Sequence, residues 1–219
     1  MSKEKESIAS SREKSDIVLE KVSRKVPSFI TPDGITIISL FLAFVASFFI
    51  YAAGTYQFRI MLFFAAIALA LSSFLDALDG NLARMRNVEN KSGDYFDHSL
   101  DRVADLALIL SIGLGGFVSW LIVAFAVGGV SLTSNLGSLS KTVGLSRDYG
   151  GLGRVWRLLI MIIVLILNSI WWEEIAIFSN GSTFTFLGWM TILFAIGGFY
   201  TALLRFCDAR KKLKKIYRD

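Results

Sequence analysis

Six stretches of this chain are apolar for close to the roughly 20 residues that an α-helix needs to cross a lipid hydrocarbon core. They fall at Gly34–Gly54, Phe58–Leu78, Asp94–Gly116, Phe117–Ser140, Val155–Trp172 and Thr183–Arg205. In lipid, every backbone N–H and C=O must be bonded within its own segment, so runs of this length are confined to helices. The expected fold is all-α, a polytopic membrane protein with six transmembrane helices. The third and fourth runs are nearly continuous and are divided at Gly115 and Gly116, because one straight helix of that length would overshoot the bilayer. With 54% of its 219 residues hydrophobic, the chain exceeds the roughly 45–50% of a soluble domain. Eighteen glycines suit close helix approach in lipid, and five tryptophans suit anchoring at its interfaces.

Before the first span, Val18, Val22 and Val26 recur every four residues beside Leu19, with charges between them, until Pro27. This spacing predicts an amphipathic helix on the membrane surface. The chain divides into a juxtamembrane segment at 1–33, a six-helix domain at 34–207 and a basic tail at 208–219. The opening MSKEKESIASSREK is polar and has no apolar core before a cleavage site, so the spans are expected to carry targeting. The single cysteine, Cys207, has no intrachain disulfide partner. Six spans put both termini on one side, and 22 of the 23 Lys and Arg residues then fall on that side, Arg59 alone lying opposite. By the positive-inside rule that side is cytoplasmic. Glu173 and Glu174, beside Trp171 and Trp172, mark the other face. The charge of +5 is expected to meet anionic headgroups, and nucleic acid is not an expected partner. The Gly150, Gly151, Gly153 stretch lacks the Lys-Ser/Thr ending of a phosphate-binding loop and is expected to be a connection.

Carboxylates are costly within a membrane, yet several gather where the second and third spans meet, in DALDGNLARMRNVENKSGDYFDHSLD, residues 76–101. At 3.6 residues per turn, Asp76, Asp79, Gly80 and Ala83 share one helical face within about 100°. Gly93, Asp97 and Asp101 share another within about 80°. A short loop folds one stripe onto the other. Four carboxylates without cysteine or histidine at matched positions make a hard oxygen site suited to Mg²⁺ or Mn²⁺. Two such ions would neutralise both the attacking and the leaving oxygen of a phosphoryl transfer. Gly80, Ala83 and Gly93 leave the backbone open to a nucleotide.

Asp76, Asp79, Gly80, Ala83, Arg84, Gly93, Asp97 and Asp101 together match every fixed position of the signature that the chain shares with CDP-alcohol phosphotransferases, which it resembles. Eight such matches arise by chance roughly once in 10⁹ starting points. The resemblance implies transfer of a substituted phosphate from a CDP-alcohol donor, such as a CDP-lipid, to an acceptor hydroxyl with release of CMP, in phospholipid biosynthesis. It also implies a homodimer. By the same resemblance Asp76, Asp79, Asp97 and Asp101 hold metal, and Asp101 acts as general base. The resemblance also places Asp76, Gly80, Ala83, Arg84 and Gly93 around the CDP moiety, with Asp33 and Thr36 near it beside Pro32.

Neighbouring polar residues have simpler assignments. His98 is expected to point about 100° away from Asp97, Asp94 to charge a helix N-terminus, and Asp105 to pair with an internal arginine. Ser131, Ser134, Asn135 and Ser138 form a stripe toward Lys141, either bonding between helices or lining a cavity. Relatives that use inositol phosphate or glycerol phosphate commonly carry an Arg-x-Arg pair where this chain reads Gly137, Ser138, Leu139. Arg157 and Arg205 resemble other anion-binding positions, and Lys141 is available as a substitute, so anionic and neutral acceptors both stay open. The alternative class is a cation-coupled transporter that uses the intramembrane carboxylates, but such a pathway has no need for Arg84 or for the small residues.

Overall fold

The structure is a computed structural model, and it describes residues 19–145, 153–171, 176–177 and 183–216. Val18, Gly150, Gly151, Trp172, Glu173 and Glu174, on which some sequence expectations rest, lie outside the described residues. The fold is all-helical apart from two two-residue strands, β1 (Ala176–Ile177) and β2 (Thr183–Phe184), paired antiparallel. A short helix, α1, is described over residues 19–23. Six long helices follow: α2 (Pro32–Tyr56), α3 (Ile60–Met85), α4 (Lys91–Leu114), α5 (Trp120–Thr142), α6 (Arg154–Ile170) and α7 (Phe186–Ile216).

These six helices match the six apolar runs, but four of them, α2, α3, α5 and α7, are long and apolar enough to cross a membrane. The other two fall short for separate reasons. Carboxylates and Arg102 crowd the first half of α4, and the 17 residues of α6 extend only about 25 Å. The principal helix contacts form a closed circuit in which α2 touches α3, α3 touches α6, α6 touches α7, α7 touches α5, α5 touches α4 and α4 returns to α2. Ile50, Leu62, Leu108, Ile112, Leu165, Leu187 and Phe194 are buried within this ring. Phe41, Phe48, Leu121 and Ile196 stand well exposed on its outside, as lipid-facing side chains do.

Two closures in the ring need glycine for close approach. A Cβ on Gly198 of α7 would lie 2.6 Å from the backbone carbon of Gly129 on α5, and one on Gly54 would lie 1.9 Å from the Gly115 carbonyl oxygen. Thr133 Oγ1 donates to the Gly198 carbonyl at 2.8 Å, adding a hydrogen bond where α5 and α7 meet. Between α2 and α3, Ser39 and Ser72 donate to each other's backbone carbonyls at 3.0 and 2.8 Å. Such exchanges hold helices together where lipid gives no hydrophobic drive for their association.

The chain reverses after α3 through Asn87, in the left-handed conformation (φ 54°), with the Val88 N–H bonded to the Ala83 carbonyl at 3.1 Å. Asn90 then caps α4 by accepting the Gly93 N–H at 2.8 Å. Arg86, in the same turn, donates to the carbonyls of Ile30, Val26 and Pro27 at 2.5, 3.0 and 2.9 Å. Leu19, Val22 and Val26 pack on Ile35, Leu78 and Leu82, so the described part of the amphipathic segment turns its apolar residues onto the ends of α2 and α3. Ser23 Oγ donates to Asn81 Oδ1 at 3.0 Å on the same side.

Gly198→Ala is expected to lower stability by about 1–3 kcal/mol, the usual cost of overpacking a tight contact. Gly128→Ala serves as the control, since its new Cβ would meet only Phe199 Cζ at an ordinary 3.5 Å. Thermal unfolding in detergent checks this, and equal midpoints for the two variants would contradict the close-approach account.

Candidate functional site

The two predicted stripes do converge. Asp76 and Asp79 come from the last turns of α3, Asp97 and Asp101 from the first turns of α4. Asp76 and Asp97 are each within electrostatic reach of both Asp79 and Asp101. Asp79 is almost fully buried and accepts a 2.6 Å hydrogen bond from Thr36 Oγ1 on α2, which also lies 3.1 Å from the Pro32 carbonyl. Thr31 caps α2 through the Gly34 N–H, and Pro32 occupies its first turn, fixing Asp33 and Thr36 beside the carboxylates.

Arg154, the first residue of α6, supplies the positive charge. Its guanidinium places Nη1 2.8 Å from Asp76 Oδ2, Nη2 2.7 Å from Asp101 Oδ1 and Nε 3.8 Å from Asp105 Oδ1. Arg157, one turn on and buried, places Nη2 2.5 Å from Asp105 Oδ2. Asp105 therefore pairs with internal arginines, as the sequence suggested. Asp94 lies in the first turn of α4, where it pairs with Lys141 and sits 3.1 Å from His98 Nε2. His98 is nearer the cluster than its place on the helix suggested, with Nδ1 3.5 Å from Asp97 Oδ2. Potential ligand atoms of Asp97, His98 and Asp101 all lie within 4.8 Å of one another. Asp76 and Asp79 stand outside that group, Asp76 taken by Arg154 and Asp79 by Thr36.

Two cavities flank the carboxylates. The larger, about 760 Å³, is lined by Asp33, Thr36, Asp79, Gly80, Ala83, Arg84, Gly93, Asp94, Asp97 and Lys141 together with the Val88–Lys91 turn. It brings together every predicted CDP-binding residue except Asp76. Lys141, expected with the acceptor, lies on this side. Gly80 and Gly93 differ from the packing glycines: a Cβ on Gly80 would meet nothing nearer than Arg84 Nη1 at 3.9 Å, and one on Gly93 nothing nearer than Asn90 Oδ1 at 3.7 Å. No protein atom forbids a side chain at either, so the space they leave belongs to the cavity.

The smaller cavity, about 190 Å³, is lined by His98, Asp101, Arg102, Asp105, Ser134, Gly137, Ser138, Arg154, Arg157 and Arg205. Arg157 and Arg205, predicted on the acceptor side, meet here. Ser134 and Ser138 of the polar stripe also face it, whereas Asn135 is exposed. Arg102 and Arg154 were not among the sequence candidates. The signal for Arg102 was present, an arginine directly after Asp101 at the head of an otherwise apolar run. For Arg154 no local pattern pointed at Asp76, 78 residues away.

Carboxylates predominate among the donors here, with Asp76 and Asp97 near both Asp79 and Asp101 and His98 the one nitrogen donor beside them, and such oxygen-rich surroundings fit Mg²⁺ or Mn²⁺ better than a softer ion. Among the described residues, Asp97, His98 and Asp101 offer donor atoms close enough to share one ion.

Comparison with known proteins places the chain among relatives of one family. The chain is 39% identical to archaetidylinositol phosphate synthase of Pyrococcus horikoshii over 103 residues, 47% of this chain and 51% of that protein. It is 31% identical to the protein of that name from Methanothermobacter thermautotrophicus over 112 residues, 51% and 54% of the two chains. The matched region thus spans about half the length of these curated relatives. In fold the chain is similar to Mycobacterium tuberculosis phosphatidylinositol phosphate synthase with CDP-DAG bound, at a TM-score of 0.68 and 20% identity, covering 88% of this chain and 93% of that one. The same enzyme in complex with manganese and citrate gives a TM-score of 0.69 at 19% identity, covering 87% and 88%. The family model described as CDP-alcohol phosphatidyltransferase matches residues 29–197, and the chain belongs to that family.

Proposed function

We propose that this chain transfers a substituted phosphate from a CDP-lipid to the hydroxyl of a phosphate-bearing acceptor of the inositol phosphate class, releasing CMP, in phospholipid biosynthesis. The observation that carries this is the meeting of two unlike cavities at one carboxylate cluster. One has an open glycine floor, and the other holds four arginines. The names of the relatives, synthases of archaetidylinositol phosphate and phosphatidylinositol phosphate, favour the same acceptor class.

On the donor side, Gly80, Ala83 and Gly93 leave room for the cytidine nucleotide, Arg84 and Lys141 face its phosphates, and Asp33 and Thr36 form the rim. Thr36 also holds the Asp79 carboxylate in a single orientation through its hydrogen bond. On the acceptor side, Arg157 and Arg205 attract the anionic group. Asp101 lines that cavity and takes the proton of the attacking hydroxyl. The oxygen–phosphorus bond forms to the lipid-bearing phosphorus, the bond from that phosphorus to CMP breaks, and CMP departs from the Asp79–Asp97 side. Bound Mg²⁺ or Mn²⁺, two ions per site held by Asp76, Asp79, Asp97 and Asp101, supplies neutralisation of phosphate charge. A cation-translocating role would leave the open glycine floor and the arginine cavity without purpose.

The proposal includes six spans. Each of α4 and α6 packs between two helices that are themselves long and apolar enough to cross, and each carries exposed apolar residues such as Leu110, Leu114, Leu159 and Ile163. By the distribution of Lys and Arg, both termini and the site are cytoplasmic. The amphipathic segment then lies at the cytoplasmic membrane border, and the homodimer follows the family resemblance.

In detergent with Mg²⁺, Asp79→Ala is expected to abolish CMP release, and Asp101→Asn to lower turnover about 100-fold or more. Near wild-type turnover in Asp101→Asn would remove it as the base. Removing the charge of Arg154 exposes Asp76 and Asp101 to each other, so Arg154→Met is expected to lose about 1–3 kcal/mol of stability in chelator. Mg²⁺ should recover more of that loss than it adds to the wild type. Unfolding midpoints with and without the ion check this, and identical shifts in both proteins would contradict the charge-balancing role.

A further inference from the structure

Four arginines line the smaller cavity, and they are held differently. Arg154 spans Asp76 and Asp101, and Arg157 is bonded to Asp105. Arg205 donates from Nη1 to the Thr133 carbonyl at 2.7 Å. Arg102, half-buried on α4, donates from Nη2 to Ser138 Oγ on α5 at 2.6 Å and forms no ion pair with a carboxylate among the described residues. A guanidinium at this depth, facing a neutral hydroxyl, leaves most of its charge and several of its N–H donors for another group.

The wall beneath it is shaped to receive it. A Cβ on Gly137 would stand 2.7 Å from Arg205 Nη1, so the absence of a side chain there lets that guanidinium lie against α5. The next residue, Ser138, carries Arg102. One step of α5 thus supports two guanidiniums, delivered by α4 and by α7, and both border the same space. Planar forks arriving from two directions match the several oxygens of a phosphate group.

We propose that Arg102, held by Ser138, binds the phosphate carried by the acceptor and sets the preference for phosphorylated over unphosphorylated alcohols. This rests on the anionic acceptor proposed above. Asp101, directly before it in the chain, faces the same cavity, so one turn of α4 presents both the base for the attacking hydroxyl and the charge that holds the acceptor's far end.

The test uses the full chain in neutral detergent with Mg²⁺ and CDP-diacylglycerol, following CMP release with inositol phosphate, glycerol phosphate or unphosphorylated inositol, with inorganic phosphate as inhibitor. In Arg102→Gln, the KM for phosphorylated acceptors and the Ki for inorganic phosphate are both expected to rise about 10-fold or more, as for loss of one charge-assisted hydrogen bond. The donor KM should stay within about 2-fold. Arg102→Lys should recover part of the loss, since it restores the charge without the fork. Ser138→Ala keeps the guanidinium but releases it, and should raise the acceptor KM to a smaller extent; this variant decides the matter if Arg102→Gln does not fold. Unchanged acceptor KM and phosphate Ki in Arg102→Gln, an equal rise in donor KM, or a silent Ser138→Ala would overturn the role of Arg102. A wild-type protein that uses only unphosphorylated acceptors and ignores inorganic phosphate would instead remove the anionic acceptor itself.

Discussion

The carboxylates of Asp76, Asp79, Asp97 and Asp101, gathered where α3 ends and α4 begins, repel one another, the more so where burial, as at Asp79, weakens screening. The rest of the site follows from how that repulsion is met. Arg154 reaches from α6 to Asp76 on α3 and Asp101 on α4, joining three helices through one guanidinium. Thr36 reaches from α2 to Asp79 and fixes the carboxylate on the other flank. The cluster is thereby divided into a pair facing a guanidinium and a pair facing an open cavity. A bound divalent ion would enter a place where positive charge is already required by the fold.

Glycine serves two opposite ends in this molecule. At Gly54, Gly129 and Gly198 backbone approaches backbone, and the missing side chain is filled by protein. At Gly80 and Gly93 the missing side chain is filled by nothing from the protein. Sequence spacing cannot tell these cases apart, since both read as small residues on a helical face. Gly137 is a third case, where the vacated volume receives the end of an arginine from another helix.

The number and placement of the long helices were legible because lipid imposes a strict demand on apolar length. Their ends were not. The run ending at Leu78 continues as α3 to Met85, because the motif residues stay helical beyond the apolar part, and the last helix runs on to Ile216 through the basic segment. Count alone also concealed that α4 and α6 differ from the other four in apolarity and length. The carboxylate stripes were legible from periodicity, since Asp76 and Asp79, like Asp97 and Asp101, are neighbours on a single helix. What joins the two stripes to the rest was hidden in long-range contacts: Arg154 to Asp76, Arg102 to Ser138 across 36 residues, and Lys141 to Asp94 across 47. The motif at 137–139 looked like a lost pair of cations, whereas the cations arrive there from neighbouring helices.

Among the described residues, Arg86 grips the N-terminal segment through main-chain oxygens, at Val26, Pro27 and Ile30. Such a grip is indifferent to which side chains those positions carry. These bonds would persist through side-chain changes at the three positions, although Val26 and Ile30 also pack on Ile35, Leu78 and Leu82, while the anchoring position itself tolerates little, since an ammonium lacks the planar fork that reaches several oxygens at once.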